Sequence, residues 1–259
     1  MNILKISIPN VSIIITSFNT EQYIVKCLQS AINQTYKNWE IVIVDDYSTD
    51  NSIIIINDFL HTLDDNIKNK IKLIKNMTNR GCYVSRNVGI QNSVGKYITI
   101  LDSDDILQKN KLLIQVRVLE RNPYAITVGH LWQRFTENGQ YLLPRTGPIS
   151  LMFRRKVIKD IGYFDSVRYG ADTEFSHRLR KYYANTQYKS VEINQILYFA
   201  LSRDDSLCKK KETGPDCINR KIYSSNFSQW HKNTLPRNLF INFPLTVRPF
   251  AVPNDMICL

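Results

Sequence analysis

The residues with the most evident chemical potential are carboxylates placed just after short apolar runs. Asp45 and Asp46 follow residues 40–44 (EIVIV), and Asp102, Asp104 and Asp105 follow residues 96–101 (KYITIL). An aspartate after a strand commonly caps the next helix, and Asp45 or Asp50 alone fits that use. The stretch Asp102-Ser103-Asp104-Asp105 is different, because three carboxylates in four residues repel one another unless a cation offsets them. A hard divalent ion shared between such carboxylates and a substrate diphosphate resolves the repulsion.

Such groups act together only if the backbone brings them to one place, and the pattern around them predicts how. The first half alternates strand-like and helix-like segments, as in a parallel α/β sheet. Residues 11–16 (VSIIIT), 40–44, 71–75 and 96–101 read as strands buried on both faces. Residues 21–34, 52–63, 85–93 and 112–121 read as helices. In an open sheet of this kind, ligands bind in the crevice beyond the carboxyl ends of the strands, where both acidic clusters fall. Further on, residues 125–132 and 196–200 read as strands. Residues 155–161, 172–183 and 220–230 read as helices, and Asn138-Gly139 as a tight turn. The last twenty-odd residues, with Pro236, Pro244, Pro249 and Pro253, read as an extended tail packed on the surface.

Composition narrows the function classes. A chain of 259 residues buries a sizeable core, and no run approaches the roughly 18 apolar residues of a membrane-spanning helix. The N-terminus does not read as a signal peptide, so a cytoplasmic location is expected. Five cysteines at wide spacing form no CxxC pair, which predicts reduced thiols and no zinc site. The net charge is +11, with nine Lys/Arg against four Asp/Glu between Arg145 and Lys181. That surface suits a phosphorylated substrate or peripheral contact with an anionic membrane. It carries no recognised nucleic-acid motif, so nucleic acid is not an expected partner. A nicotinamide dehydrogenase is excluded, because Thr16-Ser17-Phe18-Asn19 has no glycine fingerprint after the first strand.

Five motifs occur in a telling order. They are residues 11–19 (VSIIITSFN) with 28–36 (LQSAINQTY), 40–52 (EIVIVDDYSTDNS), 79–89 (NRGCYVSRNVG), 95–105 (GKYITILDSDD) and 172–179 (DTEFSHRL). Together they resemble glycosyltransferase family 2, inverting enzymes of the GT-A fold, over roughly residues 9–232. The resemblance implies a single α/β GT-A domain with a Rossmann-like, mostly parallel central sheet flanked by helices. Residues 1–110 would form the nucleotide-sugar-binding half, 111–200 the acceptor-binding half, and 201–259 an irregular lid and tail.

By the same resemblance, Thr16 and Asp46 hold the base of the nucleotide, and Arg86 lies near the nucleotide. Asp102 meets the ribose and the metal, and Asp104 ligates the metal, Mn²⁺ or Mg²⁺. Asp172 matches the general base that deprotonates the acceptor hydroxyl, with Glu174 as the competing carboxylate. Arg203, in RDDSL, matches a segment that closes the donor site. The family's Glu before that base is Ala171 here, a departure that bears on the polarity of the acceptor pocket. Residues 227–232 (FSQWHK) lack the QxxRW of processive synthases, so a non-processive enzyme is expected. The implied partners are a nucleotide-sugar donor, UDP-linked by this resemblance, and a glycan, lipid-linked or protein acceptor. A catalytically impaired nucleotide-sugar-binding protein of the same fold is the alternative.

Overall fold

The computed structural model describes residues 10–204, 206–207 and 209–258. Residues 1–9, Asp205, Cys208 and Leu259 lie outside the described residues. With them go the reading of the N-terminus, one cysteine and one residue of the RDDSL segment.

β1 (Val11–Ser17) is buried along its whole length, and β2 (Trp39–Asp45) nearly so. Both are runs of β-branched residues that suit a strand covered on each face. β1 pairs in parallel with β2 on one side and with β4 (Tyr97–Asp102) on the other, while β3 (Ile71–Lys75) extends the sheet beyond β2. The alternation of side chains divides the interior into two cores. Ile13 and Ile15 pack with Ile24 and Leu28 of α1 (Ile24–Ile32) on one face. Ile14 packs on the opposite face, with Ile90 of α4 (Cys82–Gln91). At Gly89 helix and strand approach so closely that an added Cβ would lie 2.4 Å from Ile14 Cγ2.

α2 (Ser52–His61) contains the strand-like run IIII yet folds as a helix. Asp50 Oδ1 accepts the Ser52 N–H at 2.9 Å, capping the first turn, and Ile56 and Leu60 supply a buried i, i+4 pair. A short helix α3 (Asp65–Lys68) precedes β3.

The second half departs from the predicted pattern. The sheet order is β3-β2-β1-β4-β7-β6-β8-β5, and the sheet is mixed rather than parallel throughout. β5 (Ile106–Leu107) pairs antiparallel with β8 (Lys189–Ser202). β6 (Ala125–Thr136) runs parallel to β8, and both are longer than their sequence patterns indicate. β7 (Met152–Arg154) is inserted antiparallel between β4 and β6. It escapes sequence reading because it is only three residues long and runs into basic residues. Its two apolar side chains nevertheless join opposite cores, Met152 one and Phe153 the other.

α6 (Lys156–Ile161) leads through an ordered loop to α7 (Ala171–Tyr183), and α8 (Ile218–Asn233) packs behind α7. Gly170, at φ +90°, makes the left-handed turn from which α7 departs.

The proline-containing tail is more than a surface covering. Leu239, Ile241 and Met256 are buried, and Tyr163 N–H donates to Ile241 O at 2.9 Å. Arg168 N–H donates to Met256 O at 2.8 Å, and Arg248 Nη1 meets Asp165 Oδ1 at 2.7 Å. The strap therefore fastens the loop that enters α7.

One buried cation has no carboxylate against it. Lys111, at the start of α5 (Lys111–Arg121), donates to Thr99 Oγ1 at 2.8 Å and Gln115 Oε1 at 2.7 Å. Burial pushes its pKa from 10.5 down to about 7. Between those values the unfolded chain holds a proton that the folded chain does not, so stability falls as pH is lowered through that window. We expect Lys111→Met to flatten the urea-midpoint profile between about pH 7 and pH 10 relative to wild type, a comparison that denaturation at several pH values makes directly.

Candidate active site

The carboxyl ends of β1, β2 and β4 open into a cleft of about 1680 Å³. That exceeds the roughly 300–1,000 Å³ of most single-ligand pockets and leaves room for two substrates. Thr16, Asp46, Arg86, Asp102, Asp104, Asp172 and Arg203, all singled out from sequence, line this one cleft. In the β1–β4 register Thr16 stands opposite Asp102.

The aspartates near the end of β2 divide by role. Asp45 accepts from Ser48 N–H at 2.9 Å and Ser48 Oγ at 2.6 Å, a local turn. Asp50 caps α2. Asp46 instead accepts from Gly81 N–H at 2.7 Å, Arg80 N–H at 3.0 Å and Asn76 Nδ2 at 2.8 Å. It thereby holds the loop before α4 while lining the cleft.

At the end of β4 the crowded carboxylates are offset by the protein itself. Asp102 Oδ1 pairs with Arg86 Nη2 at 2.7 Å, and Asp104 Oδ2 with Arg203 Nη2 at 3.0 Å. Asp105 accepts from Tyr198 Oη at 2.7 Å and from Leu201 N–H at 2.8 Å, which ties it to β8. Burial, then the charges of Asp104 and Asp102, push its pKa well up. Two of the three carboxylates at this strand end therefore have arginine partners.

Among the described residues no group of three or more His, Cys, Asp or Glu side chains could hold a metal ion alone. The donor set still fits a hard ion. Asp102 and Asp104 side chains remain 30% and 18% exposed, and carboxylate oxygens supplemented by substrate phosphates are a usual Mg²⁺ or Mn²⁺ environment.

Asp172 stands in the first turn of α7. Its Oδ1 accepts from Tyr83 Oη at 2.9 Å and from Thr173 N–H at 2.9 Å. Glu174 faces the other way and is fully buried. It pairs with Arg178 Nε at 2.9 Å and with His231 Nε2 at 2.9 Å. The competing carboxylate is therefore part of the α7–α8 packing and lines no part of the cleft. Arg178 is taken up by the same pair, so it adds no positive charge beside Asp172. Ala171 is buried in the core and does not line the cleft.

Several lining residues were not legible beforehand. Tyr83 lies at an unspecified position of the NRGCYVSRNVG motif, and its motif neighbours give no hint of a contact with Asp172. Trp132 and Arg134 come from the far end of β6, and Lys209–Lys211 and Arg220 from the segment around α8. Among the described residues, Cys27, Cys82, Cys217 and Cys258 are free. Burial pushes Cys82 up to about 12 and Cys258 up to about 11, so both stay protonated.

With this geometry in view, comparison with known proteins identifies the class. The chain belongs to glycosyl transferase family 2, whose model matches residues 12–192. The sheet is that of a GT-A fold. A structure of Staphylococcus aureus TarS 1–349 in complex with UDP-GlcNAc superposes with a TM-score of 0.62 at 22% identity, covering 76% of this chain and 60% of that one. The mannosyltransferase PcManGT from Pyrobaculum calidifontis, in complex with GDP-Man and Mn²⁺, gives 0.59 at 18% identity, covering 75% and 57%.

Among curated relatives is the Escherichia coli UDP-Glc:alpha-D-GlcNAc-diphosphoundecaprenol beta-1,3-glucosyltransferase WfgD. It is 35% identical over 120 residues, 46% of this chain and 45% of that protein. The chain spans about half or less of the length of the curated relatives it matches. No helix among the described residues is long and apolar enough to cross a membrane.

The burial of Glu174 carries a stability consequence. Glu174→Gln leaves Arg178 buried without its countercharge, and we expect a loss of about 3–5 kcal/mol in unfolding free energy. Nucleotide affinity should be unchanged. Urea denaturation and calorimetry with UDP separate the two effects.

Proposed function

We propose that the chain transfers a sugar from a nucleotide-sugar donor, UDP-linked, to an acceptor hydroxyl with inversion, adding one sugar per encounter. The observation that carries this reading is the convergence of Asp102 and Asp104 with Asp172 on one cleft.

On the donor side, Thr16 and Asp46 take the base. The oxygens of Asp46 already accept hydrogen bonds from the loop before α4, and a carboxylate's roughly four acceptor sites leave capacity for a ring N–H. Arg86 Nε is buried with no hydrogen-bond partner among the described residues, a donor available to an anionic oxygen. Arg203, beside Asp104, is positioned to meet the diphosphate. Asp102 and Asp104 would hold the Mn²⁺ or Mg²⁺ ion, which when bound neutralises charge on the departing nucleotide.

On the acceptor side, Asp172 takes the proton as the acceptor oxygen attacks the anomeric carbon from the face opposite the nucleotide. Its Oδ1 is engaged twice, and Oδ2 has no hydrogen-bond partner among the described residues. Oδ2 is the oxygen assigned to the acceptor. The naming of WfgD supports a lipid-linked saccharide as the acceptor class. A net charge of +11 is in keeping with work at an anionic membrane surface.

The test is a screen of UDP- and GDP-sugars for nucleotide release, with and without Mn²⁺, in which a UDP-sugar with Mn²⁺ is the expected substrate. Asp104→Ala should abolish divalent-dependent nucleotide binding, and full turnover in excess chelator would overturn the metal assignment. Asp172→Asn should leave donor binding near normal and lower turnover by roughly 10²–10⁴. An active Asp172→Asn variant would remove Asp172 from the base role.

A further inference from the structure

Among the described residues, Tyr83 is the one side chain of the donor half whose polar atom touches the candidate base. It comes from the first turn of α4 and shares a core with Ala171 and Phe175 of α7. The ring is 6% exposed, and its hydroxyl donates to Asp172 Oδ1 at 2.9 Å. Burial, then the neighbouring charge of Asp172, push the phenol well above its ordinary value, so the proton stays on Tyr83 and the bond has a single direction.

The ring in turn supports the donor site. The Arg86 guanidinium lies over it at 4.9 Å from the centroid while pairing with Asp102. The Phe164 ring packs against the Tyr83 ring, with centroids 5.9 Å apart. Asp172, Tyr83, Arg86 and Asp102 thus form one continuous contact path between the base and the metal-facing carboxylates.

We propose that Tyr83 is a positioning residue for the transfer reaction: it fixes Asp172 through Oδ1 so that Oδ2 is aimed at the acceptor, and it ties that orientation to the donor wall through Arg86. The inference rests on the reading of Asp172 as the base. It assigns a function to a cleft-lining residue that acts through Asp172. An aspartate in a first helical turn is otherwise free to rotate about its side-chain bonds, and the Thr173 N–H alone does not distinguish its two oxygens. A hydroxyl held by a buried ring does.

The experiment uses Tyr83→Phe, which removes only the hydroxyl and keeps the ring beneath Arg86. With the sugar nucleotide returned by the release screen, kcat should fall about tenfold, the equivalent of one lost hydrogen bond to a charged group. KM for the donor and Kd for UDP should stay within about twofold of wild type. In an Asp172→Asn background the same change should cost nothing further, whereas a merely structural role would cost alike in both backgrounds.

Independently of turnover, amide exchange at Thr173 should quicken about tenfold as the carboxylate is released, with the amides of β1 unaffected. Unchanged Thr173 exchange, or a kcat loss that persists in the Asp172→Asn background, overturns the proposal. Full activity of Asp172→Asn alone would instead defeat the base assignment, and the exchange measurement would still report whether Tyr83 holds the carboxylate.

Discussion

Repulsion among the carboxylates at the end of β4 is the constraint around which the rest of the molecule is arranged. A strand end at the centre of a sheet is a poorly hydrated place for three neighbouring charges. Each is met by a group from a different part of the chain: Arg86 from α4, Arg203 from just after β8, and Tyr198 with Leu201 from β8 itself. The two halves of the molecule are thereby joined at the functional cleft as well as through the continuous sheet. Because Asp102 and Asp104 already have arginine partners, an arriving ion and diphosphate would exchange partners with those arginines. Arginine suits this, since its planar fork can shift from carboxylate to phosphate while keeping two-point geometry.

The first half of the fold was legible because its signals are local. β1 to β4 are short β-branched runs ending in polar residues, and the two cores follow from simple alternation of their side chains. The second half was less so. β7 is three residues whose strand character comes from being sandwiched between β4 and β6. β6 and β8 extend because they pair with each other, a long-range contact with no periodic trace in either segment.

The candidate site shows the same division. Asp46, Asp102, Asp104 and Asp172 could be found because they sit at strand and helix ends within recognisable motifs. Motif position already favours Asp172 over Glu174, and the packing of α8, which brings His231 to Glu174, keeps Glu174 out of the cleft.

The matched family region ends at residue 192, within β8. It contains every carboxylate assigned to the chemistry, but not Arg203, α8 or the strap. The outer parts reach the inner ones through specific bonds. His231 of α8 buttresses Glu174, Tyr223 of α8 donates to Asp165 at 3.1 Å, and Arg248 of the strap pairs with the same aspartate. Asp165 is fully buried, and the loop that contains it runs directly to Gly170 and the first turn of α7. Support of this kind constrains where Asp172 stands without constraining what lies beyond its free oxygen. On the reading of Asp172 as the base, the contacts that hold the first turn of α7 would fix its position relative to the donor half while leaving the acceptor side open to variation.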